Sequence, residues 1–176
     1  MEVRKDILVD MKTQMGDNLL SLSYEKPIML VFLRHFGCVF CKEAMEDISK
    51  LRPEIEKMGF HLVFVHMASN KIAEDYFNNF KLKKVLHVSD PNKEFYTAFG
   101  LRKGSVGQLY GLKTWYRGFS SENKHLKLEM AKSLGDSTQM PGIFTLLDGK
   151  VADSYIHKYA AEKPDYLKLL ECCIVN

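Results

Sequence analysis

Residues Ile28-Met29-Leu30-Val31-Phe32-Leu33 are apolar without a break, and no other feature restricts the fold of this chain more. A strand with one face in water alternates apolar and polar side chains. A strand without that alternation is buried on both faces, as in a parallel sheet lying between two layers of helices. The residues that follow supply those layers. Over residues 40 to 58, Cys41, Ala44, Ile48, Leu51, Ile55 and Met58 recur at helical spacing, while Lys42, Glu43, Glu46, Asp47 and Lys50 cover the other side. Pro53 interrupts the hydrogen bonding of this helix and predicts a kink, and Gly59 is a stop signal. Phe60-His61-Leu62-Val63-Phe64-Val65-His66 then reads as a second strand. Strand, helix and strand close a right-handed βαβ unit.

The flanking sequence completes the layers. An amphipathic helix is predicted over residues 3 to 15, with Val3, Ile7, Leu8 and Met11 on one side, and Pro27 leads into the first strand. Past the βαβ unit come a helix at 70 to 80 and a short strand, Val85-Leu86-His87-Val88. Asp90 reads as a helix cap with Pro91 at the first helical position, and that helix runs from Asn92 to Phe99-Gly100. Residues 101 to 140, broken by Gly104, Gly107, Gly111 and Gly118 and containing Trp115 and Tyr116, read as a loop with one or two short helices. Asp148-Gly149 between two apolar runs is a β-hairpin signal, and Pro164 opens a last helix carrying Tyr166, Leu167, Leu170 and Cys173. This is the element order of a thioredoxin-like α/β fold: three layers, a central mixed sheet with helices on both faces, and a C-terminal β-hairpin plus helix. Residues 1–176 read as a single domain, with 1–24 an N-terminal extension and 101–140 an irregular insertion.

Composition narrows the function. The net charge of +3 is a weak basic bias, and Lys81-Leu82-Lys83-Lys84 lacks the aromatic interleaving of a nucleic-acid surface, so it reads as a solvated helix end. No stretch approaches the ~20 apolar residues of a membrane span. The first six residues mix both charge signs and lead into no signal-type apolar run, so the expected location is cytoplasmic. Four cysteines are too few for a disulfide scaffold at this length.

Two of those cysteines sit where chemistry is expected. Cys38 and Cys41 lie at the junction between the first strand and its helix, where backbone N–H groups and the helix dipole favour a thiolate. The two-residue spacing lets one sulfur attack the other. Cys38 precedes the first helical turn and should face solvent, whereas Cys41 shares the apolar helix face and should be more buried. This predicts Cys38 as attacking thiolate and Cys41 as resolving thiol. The competing readings are two core cysteines or half a zinc site. Cys172-Cys173 makes a poor second clamp, because adjacent helical side chains diverge by about 100°, and both are assigned to the back of the last helix. No metal or cofactor is implied. Arg34 and His35 precede the motif, and strand alternation lets at most one of them approach the sulfur. His61, His66, His87, His125 and His157 are assigned structural or surface roles, and Trp115 a packing role. Met140-Pro141-Gly142 stands just before the hairpin. At this place in a thioredoxin-like fold a cis-proline faces the cysteines, so Pro141 is expected to be cis and Met140 and Pro141 to hold substrate.

The run Phe32-Leu33-Arg34-His35-Phe36-Gly37-Cys38-Val39-Phe40-Cys41-Lys42-Glu43 resembles the active-site stretch of peroxiredoxin-like proteins of the AhpC/TSA type. The resemblance is to the Cys-x-x-Cys branch, which includes the prostamide/prostaglandin F synthase-like proteins. Asp90 to Leu101 and the hairpin from Gly142 to Tyr155 are similar to later segments of the same family, so the likeness covers residues 25 to 172. One departure stands out. In the family's Pro-x-x-x-Thr-x-x-Cys pattern the threonine hydroxyl and a partner arginine polarise the peroxide, and here Cys38 takes the threonine's place. In that alignment Cys41 matches the peroxidatic cysteine, the reverse of the order given by helix position.

The resemblance implies a thiol-dependent oxidoreductase that cycles the cysteine pair between dithiol and disulfide. Its substrate is a hydroperoxide, a prostaglandin-type endoperoxide or a disulfide, and its reductant is of the thioredoxin or glutathione type. A homodimer is also consistent with it. The rival reading is a non-enzymatic thioredoxin-fold redox sensor or binding module.

Overall fold

The computed structural model describes residues 2–105 and 134–173. In chain order they form α1 (Lys5–Asp10), α2 (Leu19–Glu25), β1 (Ile28–Phe32), α3 (Val39–Lys57), β2 (His61–His66), α4 (Asn70–Asn79), β3 (Leu86–Ser89), α5 (Glu94–Ala98), β4 (Gly142–Leu147), β5 (Lys150–Ile156) and a 3-10 helix at Lys168–Cys173. The strands make one sheet in the order β3-β2-β1-β4-β5. β1, β2 and β3 are parallel, with Ile28 opposite His61. β4 runs antiparallel to β1, with Ile28 opposite Leu146, and β5 antiparallel to β4. A mixed sheet with helices on both faces is the thioredoxin-like architecture.

Every residue of β1 is buried, as its unbroken apolar run requires. Met29 and Val31 point into a core with Met45 and Ile48 of α3, Phe64 of β2 and Phe77 of α4. Ile28, Leu30 and Phe32 point the other way, among Leu8, Leu19, Leu22, Tyr96 and Phe99. The Phe32 ring lies 5.0 Å from Tyr96, 4.9 Å from Phe99 and 5.5 Å from Phe144, centroid to centroid. The N-terminal segment therefore builds the second layer of the core.

α3 continues through Pro53 to Lys57. Local structure departs from the sequence reading in three places. The first helix ends at Asp10; the chain then turns, and Asn18 caps α2 by accepting from the Ser21 N–H at 2.9 Å. Pro91 is not the first helical residue, because Lys93 adopts a left-handed φ of 63° and α5 begins at Glu94. Asp90 still caps it from further back, accepting from the N–H groups of Glu94, Phe95 and Tyr96 at 3.0, 2.8 and 3.1 Å. The last helix is a 3-10 segment beginning at Lys168, where Thr145 Oγ1 donates to Leu169 O at 2.8 Å and takes up a carbonyl that an α-helix would use internally. The hairpin is as expected: Asp148 and Gly149 have φ of 51° and 72°, the left-handed pair of a type I′ turn. Most of the irregular insertion, with Trp115, Tyr116 and His125, lies outside the described residues.

A buried histidine pair joins β2 to β3. His66 Nε2 and His87 Nδ1 are 2.9 Å apart, and burial lowers their pKa values to about 3 and about 4.

α5 reaches the end of β1 through one group. The Tyr96 hydroxyl, fully buried, donates to Leu33 O and lies 3.1 Å from Val65 O. Asp90→Ala removes the acceptor for three N–H groups that lead into Tyr96. It is expected to destabilise the protein by about 2 kcal/mol, read as a lower urea midpoint with unchanged slope; an unchanged midpoint refutes this role.

Candidate active site

β1 ends at Phe32, and the turn from Leu33 to Gly37 carries the chain to the start of α3. Leu33 N–H still bonds Val65 O at 2.9 Å. Cys38 is the N-cap of α3, with extended backbone, and its own N–H bonds His35 O at 3.0 Å. Cys41 lies on the first helical turn, and Arg34 N–H points at its sulfur at 3.4 Å. The structure thus brings the two cysteines together as free thiols at a strand-to-helix junction.

The expected difference in exposure does not hold. Cys38 is 0% exposed and Cys41 4%. Cys38 is covered because Arg34 folds back on it. The guanidinium Nη1 lies 3.5 Å from Cys38 Sγ, Nε donates to Gln139 O at 2.8 Å, and Nη2 donates to Ser137 O. Of the two residues before the motif, Arg34 is the one that reaches a sulfur.

The electrostatic difference between the thiols survives this burial. A hydrogen bond from the Cys41 thiol lowers the Cys38 pKa to about 6, against the cost of burial, with Arg34 and the N–H groups of Cys41 and Phe40 adding to the effect. The same hydrogen bond, together with burial and the Cys38 charge, raises Cys41. Both directions favour charge on Cys38 over Cys41. His35 is held neutral, at about 4, by burial and the Arg34 charge.

Residues 134 to 140 close the site. Phe36 N–H bonds Leu134 O at 3.2 Å, and Gln139 Nε2 bonds Leu101 O at 3.1 Å. Burial pushes the Asp136 carboxyl up, but Lys93 at 2.6 Å and Thr138 hold it well below the usual range. Lys103 and Gln139 form an antiparallel bridge, and Met140 N–H bonds Arg102 O at 3.1 Å. The chain therefore runs extended into β4, and the Met140–Pro141 bond is trans; no described peptide bond is cis. The expected cis-proline is corrected on this point.

A narrow cleft opens on the Cys41 side. Arg34, Phe40, Cys41, Pro141, Ile143, His157 and Tyr166 line it, with Glu43, Glu162 and Lys163 among the charged groups around it. Pro141 thus shares the cleft with Cys41 and not with Cys38. Met140 is buried and does not line the cleft. Burial pushes Tyr166 above its usual range and His157 below its own. Sequence reading gave His157 a structural or surface role and placed Tyr166 in the last helix without a role. Their approach to Cys41 depends on β5 and the segment after it folding back over α3, where Lys163 pairs with Asp47 at 3.1 Å. Cys172 and Cys173 touch each other, 3.4 Å between sulfurs, in the 3-10 helix. Among the described residues no cluster of three or more His, Cys, Asp or Glu is placed to hold a metal, and no helix is long and apolar enough to cross a membrane.

Residues 47–160 match the family described as AhpC/TSA antioxidant enzyme. The chain belongs to this family. The matched segment begins downstream of Cys41, so the cysteine pair stands outside it. Among known relatives, a prostamide/prostaglandin F synthase from Salmo salar is 34% identical over 85 residues, 48% of this chain and 42% of the relative. Peroxiredoxin-like 2C from Homo sapiens is 29% identical over 99 residues, 53% of this chain and 43% of the relative. The matches thus span less than half the length of these two relatives. A serine mutant of peroxiredoxin 6 from Arenicola marina superimposes with a TM-score of 0.64 at 11% identity, over 97% of this chain and 66% of that one, which establishes likeness of fold.

The depressed Cys38 pKa has a thermodynamic consequence. Between about 6 and its unfolded value of 9.0, the unfolded chain holds a proton on Cys38 that the folded chain lacks. The stabilisation is therefore full above that window and lost as pH falls through 6. Reduced wild-type protein is expected to gain in urea midpoint from pH 6 to pH 9 relative to Cys38→Ser. Parallel pH profiles for the two proteins rule this out.

Proposed function

We propose that this protein is a peroxiredoxin-type thiol oxidoreductase in which Cys38 attacks and Cys41 resolves. The carrying observation is the asymmetry within the pair: one sulfur is held as an anion by its neighbour's thiol and by Arg34, and the neighbour keeps its proton. In the peroxidase cycle the Cys38 thiolate attacks one oxygen of a hydroperoxide. The O–O bond breaks, the sulfur becomes a sulfenic acid, and the alkoxide leaves and is protonated to the alcohol. The Cys41 sulfur then attacks the sulfenic sulfur, its proton goes to the departing hydroxide, and a disulfide and water form. A dithiol reductant of the thioredoxin type, or two glutathione thiols, returns two electrons and two protons in the cytoplasm. Pro141 and the cleft beside Cys41 form the proposed substrate wall. Attack on Cys38 requires Arg34 or the 137–139 carbonyls to move aside, because the sulfur is covered.

A second reading keeps the chemistry and changes the substrate. The relative from Salmo salar is named for prostamide and prostaglandin F synthesis. Reduction of a cyclic endoperoxide is the same attack on an O–O bond, and the apolar cleft wall of Phe40, Pro141 and Ile143 suits such a substrate.

Wild-type protein with thioredoxin, its reductase and a hydroperoxide is expected to consume reductant steadily. Cys38→Ser is expected to fall to background, and Cys41→Ser to complete one turnover and stall with a trappable sulfenic acid. Turnover of an endoperoxide or a disulfide but not a hydroperoxide moves the substrate to that class. Turnover of none of them leaves the protein a redox sensor or binding module.

A further inference from the structure

The proposed cycle leaves Cys172 and Cys173 unused, yet they form a dithiol of their own. Their sulfurs lie 3.4 Å apart, although adjacent side chains on a helix diverge by about 100°. Two contacts undo that divergence. Thr145 Oγ1 donates to Leu169 O at 2.8 Å, and the Cys172 thiol turns back to the same carbonyl at 3.6 Å. Cys173 belongs to the core that holds Leu170 and Tyr166, whereas Cys172 is exposed. One sulfur is thus anchored and the other can be reached from solvent. Both are free thiols, and chain geometry opposes their closing on each other. Neighbouring Cα atoms sit about 3.8 Å apart across a trans peptide, short of the roughly 4.4 Å at which disulfides begin.

What two such sulfurs can hold follows from distance and charge. With sulfur bonds of about 2.3 Å, sulfurs 3.4 Å apart subtend roughly 95° at a bound atom. A tetrahedral ion would spread them to about 3.8 Å and a linear one to about 4.6 Å. An angle near 95° suits a pyramidal atom that carries a lone pair. Zinc also lacks its further ligands, because among the described residues no group of three or more His, Cys, Asp or Glu is placed for a metal. Charge points the same way. Burial, the Cys172 thiol and the carboxylates of Asp153 and Asp148 push the Cys173 thiol up to about 12, so the site resists becoming a pair of anions. A ligand that exchanges hydroxyl groups for thiols leaves no net charge behind. We propose that Cys172 and Cys173 form a binding site for trivalent arsenic compounds, separate from the Cys38–Cys41 pair. Arsenous acid and organic arsonous acids carry two or more hydroxyl groups on a pyramidal arsenic. Each thiol proton leaves with one hydroxyl as water, and each S–H bond is replaced by an S–As bond. Arsenic stays trivalent, so neither oxidant nor reductant is consumed.

The test uses phenylarsine oxide, which is phenylarsonous acid in water. Cys38→Ser/Cys41→Ser protein keeps Cys172 and Cys173 as its whole complement of thiols. It is expected to take up one equivalent of the arsenical and to lose both titratable thiols. The adduct is expected to survive excess glutathione, a monothiol, and to be released by dithiothreitol. Adding Cys172→Ser is expected to weaken uptake by about a hundredfold, because the second bond to one ligand forms at high effective concentration. Excess zinc chloride is expected to leave the arsenical in place. Equal affinity with and without Cys172, an adduct stripped by glutathione, or displacement by zinc overturns the proposal. If Cys38→Ser/Cys41→Ser does not fold, wild type and Cys172→Ser are compared by native mass spectrometry. Wild type is then expected to bind one equivalent more, and equal stoichiometry overturns the proposal.

Discussion

The molecule depends on one strand that has no face or edge in water. β1 is hydrogen-bonded to β2 on one side and β4 on the other, and its side chains enter two different cores. Buried backbone groups must find partners, and the residue that ends the run finds unusually firm ones. Leu33 gives its N–H to Val65 and takes the Tyr96 hydroxyl on its carbonyl. That fixes where Arg34 leaves the sheet. Its N–H then faces Cys41 while its side chain reaches Cys38. The site is the continuation of the core rather than a loop laid over it.

The result is a pair of thiols in dry surroundings. In water the difference between two neighbouring cysteines would be small. In a medium of low polarity one hydrogen bond and one cation have a large effect, and they act in opposite senses on the two sulfurs. Burial also separates reactivity from access. The sulfur better prepared to attack is covered, and its partner is the one that lines the cleft.

What could be read in advance follows from the range of the interactions involved. β1, α3, β2 and the hairpin were legible because local pattern and turn chemistry act within a few residues. α2 was missed although Asn18 before Leu19 and Leu22 is a local cap signal. The shortened last helix depends on Thr145, far away in sequence. The solvent-facing Cys38 was a sound inference for an isolated strand and helix. It failed because residues 137 and 139 bind Arg34 across more than a hundred positions of chain, through backbone carbonyls that no side-chain pattern encodes.

The two histidine rings between β2 and β3 carry a restriction of their own. With 2.9 Å between Nε2 of His66 and Nδ1 of His87, a single hydrogen must lie between them, so the tautomer of one ring dictates that of the other. They act as one unit with one shared proton. Protonating the unit would place a positive charge in a dry interior, which burial disfavours. Between the ordinary histidine pKa and the lowered values, the unfolded chain binds protons that the folded pair refuses, so folding weakens as pH falls through that range. Acid thus acts on the parallel edge of the sheet, at a joint that contains neither cysteine.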